Sequence, residues 1–261
     1  MEEREISLQT TEKMQEQTVE QKRGISGSTI KIIAIAAMLI DHIGAVVVER
    51  MIMQKYAGGM IDYQDPLMIL DQILRGIGRI GFPIFVFLLI EGFLHTRNVY
   101  KYALRLGIFA LVSEVPFDLA FAGKLFYPDY QNVFVTLLIG LFVMIAYRAI
   151  EEKLNCSKGI KGILYLLALL LGAGLAMLLK TDYDGIGIVC IMVIYLFRKN
   201  RGNQLLAGSL VFMWEVPAPF AFIPIAFYNG KRGLRMKYFF YAFYPVHLFL
   251  LYLIAHFCGL V

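Results

Sequence analysis

Apolar stretches of bilayer-crossing length dominate this chain, and they decide what it can fold into. A membrane-spanning helix needs about 20 predominantly apolar residues. Runs near or approaching that length occupy 29–48, 76–94, 102–120, 132–147, 163–179, 184–197, 205–227 and 238–257. In hydrocarbon every backbone N–H and C=O must be satisfied within the protein, so runs of this kind specify helices. The expectation is an all-α, polytopic integral membrane bundle of about eight or nine membrane segments. These runs take up nearly all of residues 29–261, which leaves room for one transmembrane domain and no second globular one.

Residues 1–28 differ from the rest. They are polar, rich in Glu and Gln, end in Gly and Ser, and are predicted to form a disordered tail. They lack the short basic start and adjoining apolar core of a secretory signal, so the first span is expected to be retained. Cys156, Cys190 and Cys258 show no metal-ligand or CxxC spacing, and neither a zinc site nor a disulfide framework is expected. The net charge of +5 does not call for nucleic acid, because the basic residues sit in short loops between the runs. Arg97 and Lys101, then Arg148, Lys153, Lys158 and Lys161, then Arg198, Lys199 and Arg201 fall in alternate loops. The positive-inside rule puts those loops and the N-terminus in the cytoplasm, for a multi-pass protein of the cell (plasma) membrane.

One segment conflicts with that topology. The stretch "YNGKRGLRMK" (228–237) is also strongly basic, yet only the run 205–227 separates it from the Arg198 to Arg201 loop. A single crossing cannot start and finish on one side. Pro217 and Pro219 break the run into halves too short to cross, so a re-entrant or proline-broken hairpin with Glu215 near its tip is favoured. The alternative is one kinked crossing that violates the charge rule.

Asp41 and His42 interrupt the run "KIIAIAAMLIDHIGAVVVER", and other ionisable residues reach a similar depth. At about 1.5 Å per helical residue, Asp41, His42, Glu114, Glu215 and His247 all lie roughly 14 to 18 Å from the cytoplasmic ends of their segments. Charged groups at that depth are functional candidates, and five at one level suggest a polar chamber. Neighbours on a helix point about 100° apart, so Asp41 cannot readily orient His42. If His42 is a general base, Glu114 or Glu215 is the expected partner for its other nitrogen. Glu114 and Asp118 form an i, i+4 pair around Pro116. All of these residues could instead hold helices together by hydrogen bonds, a reading given most weight for His247. Arg79 is expected either to snorkel or to neutralise Asp118. "GIGRIG" (76–81) fits a dinucleotide fingerprint, but no strand precedes it and close helix packing explains it better. The glycines of "YNGKRG" free the backbone beside Lys231 and Arg232, a chemistry suited to phosphate, to lipid headgroups or to sidedness alone.

The stretches "KIIAIAAMLIDHIGA", "GRIGFPIFVFLLIEGF", "KYALRLGIFALVSEVPFDLAF", "QNVFVTLLIG" and "NGKRG", followed by "KYFFYAFYPVHL", occur in an order that resembles the TraX family, whose namesake is the F-pilin acetylase. That family is similar to membrane acyltransferases such as heparan glucosaminide acetyltransferase, in which an early-span histidine serves acetyl-CoA-dependent transfer. The resemblance implies an integral membrane O- or N-acetyltransferase that moves an acetyl group from acetyl-CoA to an amine or hydroxyl; the acceptor does not carry over with it, and a protein N-terminus and a glycan are the two candidates. It puts His42 in the catalytic position with Asp41 beside it, and Glu114 and Asp118 complete the expected catalytic set. Lys231, Arg232 and Arg105 are the expected binders of the CoA phosphates, and no metal is expected. The acidic tail departs from the family pattern. The rival expectation is a proton-coupled transporter or flippase that uses the same Asp, Glu and His residues as a relay, against which stands the lack of an internal repeat. A noncatalytic assembly subunit is a third.

Overall fold

The structure, a computed structural model, describes residues 24–234 and 236–261; the tail expected over 1–28 lies, as far as residue 23, outside the described residues. The described chain is helical. α1 (Gly27–Ile43) passes through a π-helical turn (Gly44–Val48) into α2 (Glu49–Lys55). α3 (Pro66–Gly78) and α4 (Gly81–His95) follow, then α5 (Val99–Ala122), α6 (Val133–Lys153), α7 (Lys158–Leu178) and α8 (Asp184–Leu196). α9 (Arg201–Val211), a 3-10 turn (Ala218–Ala221), α10 (Phe222–Ala226) and α11 (Lys237–Phe257) complete the fold. Among the described residues five stretches are long and apolar enough to cross a membrane: Gly27–Lys55, Pro66–His95, Val133–Lys153, Lys158–Leu178 and Tyr238–Phe257.

Apolar side chains fill the centre of the bundle and also clothe its outside. Ile84, Phe87, Phe93, Leu141, Ile188 and Tyr195 are almost wholly buried, whereas Leu166, Leu170, Leu171 and Leu178 of α7 are exposed. Such a surface suits hydrocarbon as solvent.

The chain departs from the sequence-based expectation at the start of the second run. A helix begins at Pro66, ten residues earlier than 76, after a cap in which Asp65 accepts from Leu67 N–H at 2.9 Å. Hydrogen bonds from Lys55, from the Tyr56 hydroxyl and from Leu67 N–H hold the Asp65 carboxyl down at about 2. Hydropathy misses α3 because Asp71 and Arg75 interrupt its apolar pattern. It is amphipathic, and Arg75 faces carboxylates of α1 and α2.

The proline-broken segment turns back. Arg201, at the start of α9, donates to the Ile225 carbonyl at 2.5 Å, so the segment leaves the bundle at the end where it entered. Glu215 sits between Val211 and Ala218, at the turn. The same end, called here the near end, holds the start of α1. There Ile25 N–H donates to Phe227 O at 2.9 Å, and Gly27 and Ser28 N–H donate to the carbonyls of Lys231 and Arg232 at 2.8 and 3.0 Å. The "YNGKRG" loop therefore satisfies N–H groups that the first turn of α1 cannot bond internally. Gly233 is required in it: its φ is +71°, and a Cβ would lie 2.1 Å from Ser28 Oγ.

Candidate functional site

One face of α1 runs from the near end into the middle of the bundle. Lys31, Ile35 and Met38 recur at helical spacing and form one wall of a cavity of about 540 Å³. The outer part of the cavity carries Lys31, Arg97, Arg105 and Arg232 against a single carboxylate, Glu91. Among the described residues no carboxylate comes within ion-pair distance of any of these four cations. Arg105 also keeps a buried Nε without a protein partner. The inner part is apolar and aromatic, with Met38, Leu106, Val133, Phe134 and Tyr244. Arg105 and Arg232 thus line one cavity. Lys231 does not: its carbonyl is tied to α1 and its side chain is exposed outside the cavity.

His42 continues the same α1 stripe, one turn beyond Met38, and is 8% exposed. It lies behind the inner wall, with its ring edge-on to Tyr244 at 5.9 Å and to Phe121 at 5.6 Å. Its partner is neither Glu114 nor Glu215. His42 Nδ1 lies 2.6 Å from Nε2 of His247 on α11, and His247 Nδ1 lies 2.7 Å from the Phe243 carbonyl. The sequence puts His247 in the expected chamber but weights it toward packing, since a lone histidine in "FYPVHLF" carries no local sign of a contact made across 205 residues.

The remaining members of the expected chamber separate into other networks. Asp41 points to α3, where its Oδ2 accepts from Arg75 at 2.8 Å, and Arg75 Nε lies 3.3 Å from Glu49. Gly78 makes this approach possible, because a Cβ there would fall 2.2 Å from the Asp41 side chain. That contact explains one glycine of "GIGRIG" by helix packing. Arg79 neither snorkels nor meets Asp118; it pairs with Glu215 at 2.8 Å. Glu114 accepts from the Asn132 amide, which also donates to the Ala110 carbonyl at 2.9 Å. Asp118 is 1% exposed and accepts from Tyr127 N–H at 2.7 Å, anchoring the loop after α5. Of the five residues expected at one depth, His42 meets His247 and Asp41 and Glu215 share the charged cluster of Arg75 and Arg79, while Glu114 joins neither, because depth along separate helices says nothing of their azimuth.

Two further residues went unnoticed in the sequence. Asp182 accepts from the Tyr130 hydroxyl, and Tyr130 packs against Phe121, the ring beside His42. They lie in short loops between apolar runs, where hydropathy carries no signal. Among the described residues no cluster of His, Cys, Asp and Glu could hold a metal ion.

Comparison with known proteins finds one family. The family described as "TraX protein" matches residues 26–255. A protein of Dichelobacter nodosus named "Probable fimbrial assembly protein FimC, serogroup H1" is 27% identical over 264 residues, spanning 87% of this chain and 94% of its own length. No solved structure matches the chain significantly.

Proposed function

The chain belongs to the TraX family, and on that premise we propose that it is a membrane-bound acyltransferase that moves an acetyl group from acetyl-CoA to an amine or hydroxyl. The observation that carries this reading is the cavity, where four cations face one carboxylate at the outer end and an apolar throat leads along α1 toward a buried histidine. Unpaired cations in a membrane protein are costly unless an anion or water meets them. The CoA phosphates supply such anions, held by Arg105 and Arg232 through charge-assisted hydrogen bonds. Lys31 and His42 are separated by about 16 Å along the helix, a reach that matches an extended pantetheine arm.

In this mechanism the thioester rests at the Met38 and Tyr244 end of the throat. The flexible Met38 side chain yields to let it reach His42. The acceptor nitrogen or oxygen attacks the thioester carbonyl, its proton passes to His42, and the carbon–sulfur bond breaks as the new carbon–nitrogen or carbon–oxygen bond forms. His42 then returns the proton to the departing thiolate, which leaves as free CoA. The basic loops gathered at the near end favour a cytoplasmic donor site and a cytoplasmic N-terminus in the plasma membrane. The name of the Dichelobacter nodosus relative, a fimbrial assembly protein, favours a fimbrial protein as acceptor, ahead of a glycan.

The test is release of CoA thiol from acetyl-CoA by the purified protein in lipid nanodiscs, with cell-envelope extract as the acceptor source. Wild type should release CoA. His42→Ala should lose about 100-fold or more while still binding acetyl-CoA, the usual size of a general-base contribution. Equal release by both proteins would sink the reading.

A further inference from the structure

We infer that His247 is a positioning residue that fixes the tautomer of His42 and so selects Nε2 as its basic nitrogen. The two imidazole rings are nearly parallel, 5° apart, with centroids 4.9 Å apart and a nitrogen–nitrogen distance of 2.6 Å. A centroid separation this close to the nitrogen–nitrogen distance plus one ring radius at each end is not a face-to-face stack. The rings lie edge to edge in a common plane, the arrangement in which an N–H points along its acceptor's lone pair.

The direction of that hydrogen bond follows from the next link. The Phe243 carbonyl can only accept, so the proton at 2.7 Å from it sits on His247 Nδ1. A neutral imidazole carries one N–H, which leaves His247 Nε2 as an acceptor. The hydrogen on the 2.6 Å bond therefore belongs to His42 Nδ1. His42 Nε2 is then the unprotonated nitrogen, and among the described residues it has no hydrogen-bond partner. A backbone carbonyl on α11 thus sets, through two rings, which atom of α1 can take a proton. Phe121 and Tyr244 hold the His42 ring edge-on from its other sides.

The consequence for catalysis rests on the acyl-transfer reading. When His42 Nε2 takes the acceptor proton, its Nδ1–H faces a neutral acceptor and the bond becomes charge-assisted, roughly twice as strong as before. No carboxylate has to be buried beside the base for this stabilisation. The orienting role that a carboxylate usually fills is taken by a neutral ring anchored to the backbone.

The experiment uses full-length protein in nanodiscs with nitrogen-15 histidine, the His42 signals being identified by their loss in His42→Ala. Wild type should show His42 protonated at Nδ1. In His247→Leu the His42 ring should lose that form, and kcat should fall about 30-fold with KM for acetyl-CoA changed by less than about 2-fold. In His247→Gln the side-chain oxygen can accept from Nδ1, so both the tautomer and most of kcat should return. Wild-type His42 protonated at Nε2, or Gln and Leu variants alike in tautomer and rate, would overturn the inference. If His247→Leu does not fold, the wild-type tautomer decides alone. The expected tautomer in a wild type that releases no CoA would defeat the acyl-transfer reading and leave the role of His247 standing.

Discussion

Two groups of charge flank α1, and they are built on opposite plans. On the α3 side, Arg75 and Arg79 lie one helical turn apart and are matched by Asp41, Glu49 and Glu215 at 2.8 to 3.3 Å. On the cavity side, Lys31, Arg97, Arg105 and Arg232 share one carboxylate, Glu91, and none is ion-paired to it. In the first group both guanidinium groups have carboxylate partners, although Asp41 Oδ1 and Glu215 Oε2 keep no hydrogen-bond partner among the described residues, and the group reads as a clamp between α1, α3 and the re-entrant turn. In the second no cation has a protein carboxylate within ion-pair distance among the described residues, and it reads as a candidate anion site. Pairing distinguishes the two more sharply than burial does, since members of both groups are only partly buried.

The largest expected effect tests that distinction directly. Arg105→Glu combined with Arg232→Glu reverses the cavity's charge and should raise KM for acetyl-CoA by about 100-fold, with kcat at saturation far less affected, because the phosphates lie away from the reacting carbon. The readout is a titration of initial CoA release against acetyl-CoA. Unchanged KM would mean that the donor binds elsewhere and that the contrast between the clusters has no functional meaning.

A smaller effect, and one of a different kind, is expected across the clamp. Arg75→Gln strands Asp41 in a partly buried setting and should cost about 1–3 kcal/mol of stability, whereas Asp41→Asn leaves Arg75 paired with Glu49 and should cost less. The double substitution should cost less than the two single ones added together, a coupling that a thermal or denaturant cycle in detergent would measure. Activity per folded molecule should stay within a few-fold of wild type. A catalytic collapse in folded Asp41→Asn would show that Asp41 belongs with His42 after all.

How much of this was legible beforehand follows from what sequence patterns encode. Helix type and the return of residues 201–226 could be read from apolar length, Pro217, Pro219 and the misplaced basic loop, because those signals are local or one-dimensional. The orthogonal aim of Asp41 and His42 was also legible, since helical geometry fixes it. What stayed hidden depended on the direction in which each side chain points. His42 meets His247 and not Glu114, Arg79 meets Glu215 and not Asp118, and Lys231 turns away while its neighbour Arg232 lines the cavity. The histidine pairing is settled by the rotation of each helix about its own axis, and the other two by the course of the turn at Glu215 and of the loop at Lys231 and Arg232, none of which depth along a helix constrains.

Glu114→Gln sharpens that lesson with a modest effect. A carboxylate orienting the base would make this substitution costly, whereas Glu114 here accepts from the Asn132 amide, and a glutamine oxygen can do the same. CoA release should fall by no more than about 3-fold, in line with a neutral hydrogen bond replacing a charge-assisted one. A loss approaching that of His42→Ala would require Glu114 to act on His42 in a way its Asn132 contact does not provide.

The smallest effect separates two adjacent cations. Lys231 and Arg232 were assigned together because "YNGKRG" offers a flexible basic loop, yet the loop's glycines serve the backbone. Gly233 clears Ser26 and Ser28, and the carbonyls of Lys231 and Arg232 cap the start of α1. Those carbonyls survive any side-chain substitution, so the cap should persist in both alanine variants. Only the Arg232 side chain lines the cavity. Lys231→Ala should therefore leave KM for acetyl-CoA within about 2-fold, while Arg232→Ala, losing one charge-assisted phosphate contact, should raise it about 5- to 10-fold. Assayed side by side with a labelling check that insertion is unchanged, equal shifts in the two variants would show that the loop's net charge matters and not the direction in which each side chain points.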